Sequence, residues 1–442
     1  MFLRLFLPLA AALALLLPAA PAAARLSPAE QAMIRTVDSE QERTIAMLER
    51  WVNQNSGTMN HEGVAAVGRM LRAELEPLGF AVEWIDMKAA GRAGHIVARH
   101  VPRSRGNGRG KRMLLIGHLD TVFEPDSPFQ RWERQGDWAV GPGTVDDKGG
   151  MAVMIAALRA MHRAGTLRNA DVTVVLTGDE EDPGDPLDIT RRDLIAAGKW
   201  ADVALDFEGL VRLDNRDMGS VARRSSGSWT VTATSATGHS STIFAPDTGF
   251  GAIYELARIL DSFRRELGED KLTYNVGLIG GGERAELDSD RIRMQIAGKT
   301  NVIAATATAR GDLRAIDEGQ IERTRAKMRA IVGQSLPGTK AEIVFDEDGY
   351  PPMAPTEGNR ALLRRLNQVN RDMGLAEMGE LDPLLRGAAD ISFVARDTDG
   401  LAGLGAAGRN THAEGEAVDI PSIFRQAKRA AILMSRLAQE KR

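Results

Sequence analysis

Three apolar runs that end in acids constrain this chain most. RMLLIGHLD (112–120), DVTVVLTGDEE (171–181) and DVALDFEG (202–209) are continuously apolar, and each finishes in a polar tip. A strand with no polar face is buried on both sides, as in a parallel or mixed sheet covered by helices. Helical spacing fills the intervals, at KGGMAVMIAALRAMHRAG (148–165) and DLIAAG (193–198). Strand, helix, strand, helix, strand predicts a doubly wound α/β layer. The polar tips then fall where such a layer delivers its functional side chains.

The flanking segments extend this layer. Met33, Ile34, Val37, Ile45, Leu48, Trp51 and Val52 predict helix within 28–56, and a second helix covers 61–78 with Gly79 as its stop. FAVEWIDM (80–87) and HIVARHV (95–101) alternate like paired strands. After residue 225 the pattern changes. SWTVTATSATG (228–238), a helix at 249–267, YNVGLIGGG (274–282), TNVIAATATARGDLRA (300–315), a helix at 317–333 and AEIVFDE (341–347) read as a split β-α-β-β-α-β unit, ferredoxin-like in order. GYPPMAPTEG (349–358) reads as the return crossing. A helix at 358–373, the segments 382–395 and 401–408, and a helix at 419–438 complete the first domain. The expected organisation is a mixed-sheet α/β domain over 25–225 and 348–442, with an α+β domain inserted at 226–347.

The amino terminus reads as a signal peptide over 1–24. Arg4 is its positive region, Leu5–Leu17 its apolar run broken only by Pro8, and Ala22-Ala23-Ala24 its cleavage site. The run is shorter than the roughly 20 residues that span a bilayer, which argues against an uncleaved anchor. Cleavage after Ala24 leaves 442 − 24 = 418 residues and predicts a periplasmic or secreted protein with no membrane partner. The chain has no cysteine, so disulfides and thiolate chemistry are excluded. Its formal net charge of −4 becomes −5 without Arg4, which does not suggest nucleic acid as a partner. The basic stretch RSRGNGRGKR (103–112) reads as a solvated loop before a strand.

The polar tips carry the chemistry. His118 and Asp120 are two apart at a strand end and leave on one face. Asp120 is placed to accept the second N–H of a metal-binding His118. Asp146 and Asp147 lie in a Gly-rich turn where the backbone can approach a small site. Asp147 fits as the cap of the next helix, and Asp146 is assigned as a metal bridge. Glu180 and Glu181 are adjacent in extended chain and point in opposite directions, so one can hold a metal while the other handles protons. Asp206 and Glu208 share a face, and spacing does not choose between them. His412 sits in a late polar turn. About five ligands with one shared would satisfy two divalent cations. His61, His95, His100 and His162 match no pattern and read as structural or exposed.

Taken together, GHLDTV, GPGTVDDKGG, DEE, FEG and THAEGE resemble, in order and separation, the motifs of one family. It is the di-zinc metallopeptidases that include glutamate carboxypeptidase, acetylornithine deacetylase, succinyl-diaminopimelate desuccinylase and aminoacylase. The likeness runs from about residue 30 to about residue 440. It implies that His118, Asp146 and Glu208 hold one zinc and that Asp146, Glu181 and His412 hold the other, with cobalt or manganese as substitutes. It implies Glu180 as general base and Asp120 as support for His118. The inserted domain becomes a lid and dimerisation domain, whose His239 reaches the partner's active site to steady the oxyanion. Asn301 and Arg314 match lid positions that contact substrate.

The implied function is hydrolysis of an amide bond in small peptides or N-acyl amino acids, carboxypeptidase-like, by a homodimer. Some positions depart from the pattern. The loop after Glu181 carries an extra DPGDP, Asp206 replaces a neutral residue, and the Gly-Gly-Thr/Ser-Asp turn reads Gly387-Ala388-Ala389-Asp390. Where the carboxypeptidase branch carries a carboxylate-binding arginine, this chain reads GYPPMAP. Arg223, Arg224 and Arg386 are alternative grips for an anionic group. A deacylase with the same metal centre is the first rival, separable by a substrate panel. A non-catalytic binding protein would lack a ligand or the base, and none is missing. A purely structural exported protein would hold no metal.

Overall fold

The computed structural model describes residues 26–102 and 110–442. The expected signal peptide and residues 103–109 of the basic loop lie outside the described residues. Six strands form the main sheet in the order Ala81–Asp86, Gly94–His100, Asp171–Thr177, Arg112–His118, Val203–Asp206, Asp399–Leu401. The first two run antiparallel to their neighbours, and the last four are mutually parallel. The sheet is therefore mixed. Period two explains why the central strand reads as continuously apolar. Met113 and Leu115 join one core, while Leu114 and Ile116 join another on the opposite face.

The helix Lys148–Arg163 is buried from Lys148 through Met161. It packs against Ile420–Leu437 on one side of the sheet. Arg192–Trp200 and the turn Asp390–Phe393 cover the other side. This doubly covered layer aligns three parallel strands so that His118 lies opposite Thr177 and Ile116 opposite Asp206. The loops that follow these strands meet at one edge.

The segment after 226 builds a four-stranded antiparallel sheet in the order Thr273–Gly282, Thr306–Arg314, Gly227–Ser235, Thr339–Phe345. Helices Ala252–Glu266 and Glu318–Val332 cover it around a separate core of Trp229, Val231, Ile259, Phe263 and Met328. Trp229 meets Phe263 edge-on at 5.6 Å. The two chain crossings lie side by side, with Ser226 paired to Tyr350 and Arg223 to Met353. Among the described residues, no helix is long and apolar enough to cross a membrane.

Three details differ from the sequence reading. Residues 28–56 form two helices, Pro28–Ser39 and Gln41–Val52, hinged at Glu40. The break lets Met33, Val37, Ile45 and Leu48 all enter one core. The strand expected over 300–315 covers only Thr306–Arg314. Its first residues instead run past the His239 turn, where Val302 pairs with His239 and Ile303 N–H donates to Gly238 O. A hairpin, Arg284–Leu287 with Met294–Ala297, was not anticipated.

The helix behind the strand ends is packed without slack. A Cβ at Gly150 would lie 1.9 Å from the Phe207 carbonyl oxygen and 2.2 Å from Asp147 Oδ1. Helix propensity alone favours alanine over glycine by about 1 kcal/mol. Gly150→Ala should nevertheless lower the urea midpoint, because backbone must shift to admit the methyl group. A raised midpoint would contradict this packing.

Candidate metal centre

His118 ends the central strand and is 1 % exposed. Its Nδ1 lies 3.2 Å from the carbonyl oxygen of Asp120 and 3.4 Å from that residue's Oδ1. A proton on Nδ1 is held there, so Nε2 keeps its lone pair for a cation. Nε2 lies 2.9 Å from Asp146 Oδ1. The other oxygen, Asp146 Oδ2, lies 3.0 Å from Nε2 of His412. One carboxylate therefore faces two imidazoles, one per oxygen. His412 Nε2 also lies 3.2 Å from Glu181 Oε2. Glu181 Oε1 is buried with no hydrogen-bond partner, and a buried anion without a donor calls for a cation.

Ligand atoms of Asp146, Glu181 and His412 converge within 4.8 Å of one another, and so do those of His118, Glu180 and Glu181. Glu208 stands beside these groups rather than in either. Its Oε2 accepts from Arg223, and from Arg386 at 2.9 Å. Asp206 is buried next to it, with Oδ1 accepting from Glu208 N–H at 3.4 Å and Oδ2, without a hydrogen bond, 3.9 Å from Arg223 Nη1. Asp147 holds the N-cap position of the helix Lys148–Arg163, but its side chain does not cap it. It makes no capping hydrogen bond, and its Oδ2 accepts from His118 N–H at 3.3 Å. Burial has turned it inward beneath the strand end.

Asp120 does more than orient His118. Its Oδ1 accepts from Glu180 N–H and its Oδ2 from Glu181 N–H, each at 3.1 Å. Thr58 Oγ1 donates to the same Oδ2 at 2.7 Å. Glu416 plays the matching part for Asp146. It is fully buried, and its carboxylate accepts from Gly143, Val145 and Asp146 N–H at 3.1, 2.7 and 3.0 Å. Glu416 thus clamps the Asp146 turn to the His412 turn. Sequence reasoning missed Thr58 and Glu416, and the only cue to Glu416 was its place in the same polar turn as His412. His95 and His100 are buried and bonded to the carbonyls of Thr190 and Ala170, as structural histidines.

The small unit's residues are not joined to this cluster. His239 is exposed, with Nδ1 2.8 Å from Ser241 Oγ. Asn301 is exposed on the neighbouring loop. Arg314 pairs with Asp312 at 3.0 Å. Arg224 donates to Thr273 Oγ1. Where the resemblance expects an arginine after the last small-unit strand, Tyr350 turns its hydroxyl to the Glu180 carbonyl oxygen at 2.8 Å.

The charges sort by cause. Burial pushes the Glu181 carboxyl up to about 7, partly offset by its contact with His412. Burial, then the charge of Glu208, raises the Glu180 carboxyl well above the usual range. The contacts with Asp146 and Glu181 lift His412 to about 11. Burial opposes the charging of His118, but Asp120 and Asp146 outweigh it and hold its pKa high. Without a cation, these shifts favour the protonated forms of Glu180, Glu181, His118 and His412.

A divalent cation such as zinc should displace those protons, so its binding must release them and tighten as pH rises. Calorimetry in buffers of different ionisation enthalpy should show net release of at least one proton at pH 7; no release would refute the ligand assignment. Glu416→Ala should weaken zinc binding roughly 10–100-fold in chelator competition. Unchanged affinity would remove Glu416 from the centre's support.

Comparison with known proteins agrees with the motif reading. The family model for "Peptidase family M20/M25/M40" matches residues 114–436. The chain is 29 % identical over 414 residues to carboxypeptidase G2 of Pseudomonas sp. (strain RS-16), covering 91 % of each protein. It is 30 % identical over 353 residues to a succinyl-diaminopimelate desuccinylase of Novosphingobium aromaticivorans, covering 74 % of this chain and 88 % of that one. Aminopeptidase PepT from Bacillus cereus ATCC 10987 shares the fold, with TM-score 0.68 and 18 % identity over 90 % of this chain and 99 % of that one. With its acids and histidines converging at the strand ends and this match across most of its length, the chain belongs to peptidase family M20/M25/M40, the metallopeptidases that hydrolyse amide bonds.

Proposed function

We propose that the protein is an exported two-metal amidohydrolase acting on small peptides or N-acyl amino acids, with Glu180 as its general base. The observation that carries this reading is Asp146, whose two carboxylate oxygens face two different imidazoles. The orphaned Glu181 Oε1 supports a cation there. His118, Asp146 and Glu208 would hold one zinc, and Asp146, Glu181 and His412 the other. Among the described residues, Arg223 and Arg386 both sit on Glu208 Oε2, which leaves Oε1 to serve as ligand. Bound cations would polarise the scissile carbonyl and acidify the attacking water.

The chain's own groups do the rest. Asp120 holds the Glu180 and Glu181 peptides in place. Glu180 takes the water's proton and returns it to the departing amine. Burial raises its carboxyl when no cation is present, and neighbouring divalent cations would lower it so that it can accept that proton. His239 is the proposed oxyanion donor from a second subunit. A homodimer through the small unit is supported by exposed apolar residues there, Ile253, Tyr254, Val276, Ile279 and Ile296. Export rests on the amino-terminal Arg4, Leu5–Leu17 and Ala22–Ala24 pattern.

The relatives named carboxypeptidase G2 and succinyl-diaminopimelate desuccinylase support two substrate classes. Tyr350 in place of the expected arginine weighs against C-terminal glutamate as the preferred group. Arg223 and Arg386 beside Glu208, with Arg224 and Arg314 further out, favour an anionic acyl or carboxylate group.

A panel of dipeptides and N-acyl amino acids, with zinc-loaded protein and a chelator control, should show chelator-sensitive hydrolysis. Hydrolysis of nothing on the panel would overturn the reading. Glu180→Gln should keep its metal and lose about 10²–10⁴ in kcat. Subunits carrying His239→Ala should regain activity when exchanged with Glu180→Ala subunits. Silent mixed dimers would refute the shared site.

A further inference from the structure

Tyr350 lies in the return crossing, where the chain leaves the small unit and re-enters the first. Its backbone is tied to the outgoing crossing, since Ser226 N–H donates to Tyr350 O at 3.0 Å. Three residues on, Arg223 and Met353 exchange two backbone hydrogen bonds of 2.9 Å. These pairs mark the joint between the two units. The Tyr350 side chain points away from this joint towards the acid cluster. Its hydroxyl donates to the Glu180 carbonyl oxygen at 2.8 Å and accepts from Arg191 Nη2 at 2.9 Å.

Arg191 cannot yield easily. It is fully buried, and its Nε donates to Asp390 Oδ1 at 2.8 Å. Nη1 donates to Asp179 Oδ1 at 2.6 Å, and Nη2 to the Asp179 carbonyl at 3.0 Å. Phe393 packs edge-on against the Tyr350 ring at 4.8 Å and also faces the guanidinium. A buried cation satisfied by two carboxylates is a rigid anchor. The Glu180 peptide is therefore fastened at both ends, at its N–H by Asp120 and at its carbonyl by Tyr350.

We propose that Tyr350 is a positioning residue that couples the joint between the two units to the side chain of Glu180. Through this hydroxyl the return crossing fixes the Glu180 peptide against the Arg191 anchor, and with it the direction of the base. A displacement of about 1 Å at such a group is enough to cost two orders of magnitude in rate. This inference rests on Glu180 acting as the base.

The test is Tyr350→Phe, which removes one oxygen and keeps the ring on Phe393. Turnover is scored per zinc-loaded site, so a fraction of unfolded or metal-free protein cannot imitate the effect. The variant should lose tenfold or more in kcat with KM within twofold of wild type. In the Glu180→Gln background the same change should cost less than twofold, because it acts through that side chain. Wild-type kcat in Tyr350→Phe, or an equal loss in both backgrounds, would overturn the proposal and leave the amidohydrolase reading standing. If wild-type protein hydrolysed no amide, or Glu180→Gln kept full turnover, the base assignment and this inference would fall together.

Discussion

The Asp146 carboxylate between His118 and His412 is the contact on which the rest of the structure depends. Its two partners come from distant parts of the chain, one at the end of a central strand and one in a late turn shortly before the closing helix. Holding them together requires the main sheet to be complete, the helix Lys148–Arg163 to lie behind it, and the carboxy-terminal helix to pack on that helix in turn. Glu416 makes the arrangement reciprocal. The turn that supplies His412 also supplies the acceptor for three N–H groups of the Asp146 turn. Neither loop can move without disturbing the other.

Such a site is expensive in an empty protein. Asp120, Asp146, Glu181, Glu208 and Asp206 share one low-dielectric space, and burial raises the carboxyls of Glu181 and Asp206 to about 7. Protonated histidines and the arginines Arg223 and Arg386 absorb part of the repulsion. Divalent cations would absorb more, because each concentrates two charges where the oxygens converge. The same crowding explains why the helix Lys148–Arg163 is so apolar. Strand ends that present acids need a rigid, dry layer beneath them to keep those acids from relaxing into solvent.

Much of this was legible in the residues. Continuous apolar runs announced a sheet covered on both faces, and their polar tips pointed to His118, Asp120, Glu180 and Glu181 while leaving Asp206 and Glu208 unseparated. What stayed hidden were partners whose role is set by distant folding. Thr58 sits 62 residues before Asp120, and Glu416 lies 270 residues after Asp146. Nothing local distinguishes them from any threonine or glutamate in a loop. Arg191 and Tyr350 were hidden for the same reason. Asp147 takes the cap position that a carboxylate before a helix suggests, but tertiary burial of the turn sends its side chain to His118 N–H instead. The break at Glu40 and the shortened strand at Thr306 are likewise tertiary decisions that periodicity does not carry.

The two crossings into the small unit form a pair. The outgoing one carries Arg223, whose guanidinium bonds Glu208. The return one carries Tyr350, whose hydroxyl bonds the Glu180 peptide. Each crossing therefore places one side chain on a carboxylate residue of the centre, and their backbones are stapled together at Ser226–Tyr350 and Arg223–Met353. A linker that served only to connect two units would need neither contact. Because Arg223 holds Glu208 Oε2 while a cation would take Oε1, the outgoing crossing and the charge at the centre share one carboxylate. An insertion placed at this point in the chain is thus wired to the acids at its root, whatever its outer surface meets.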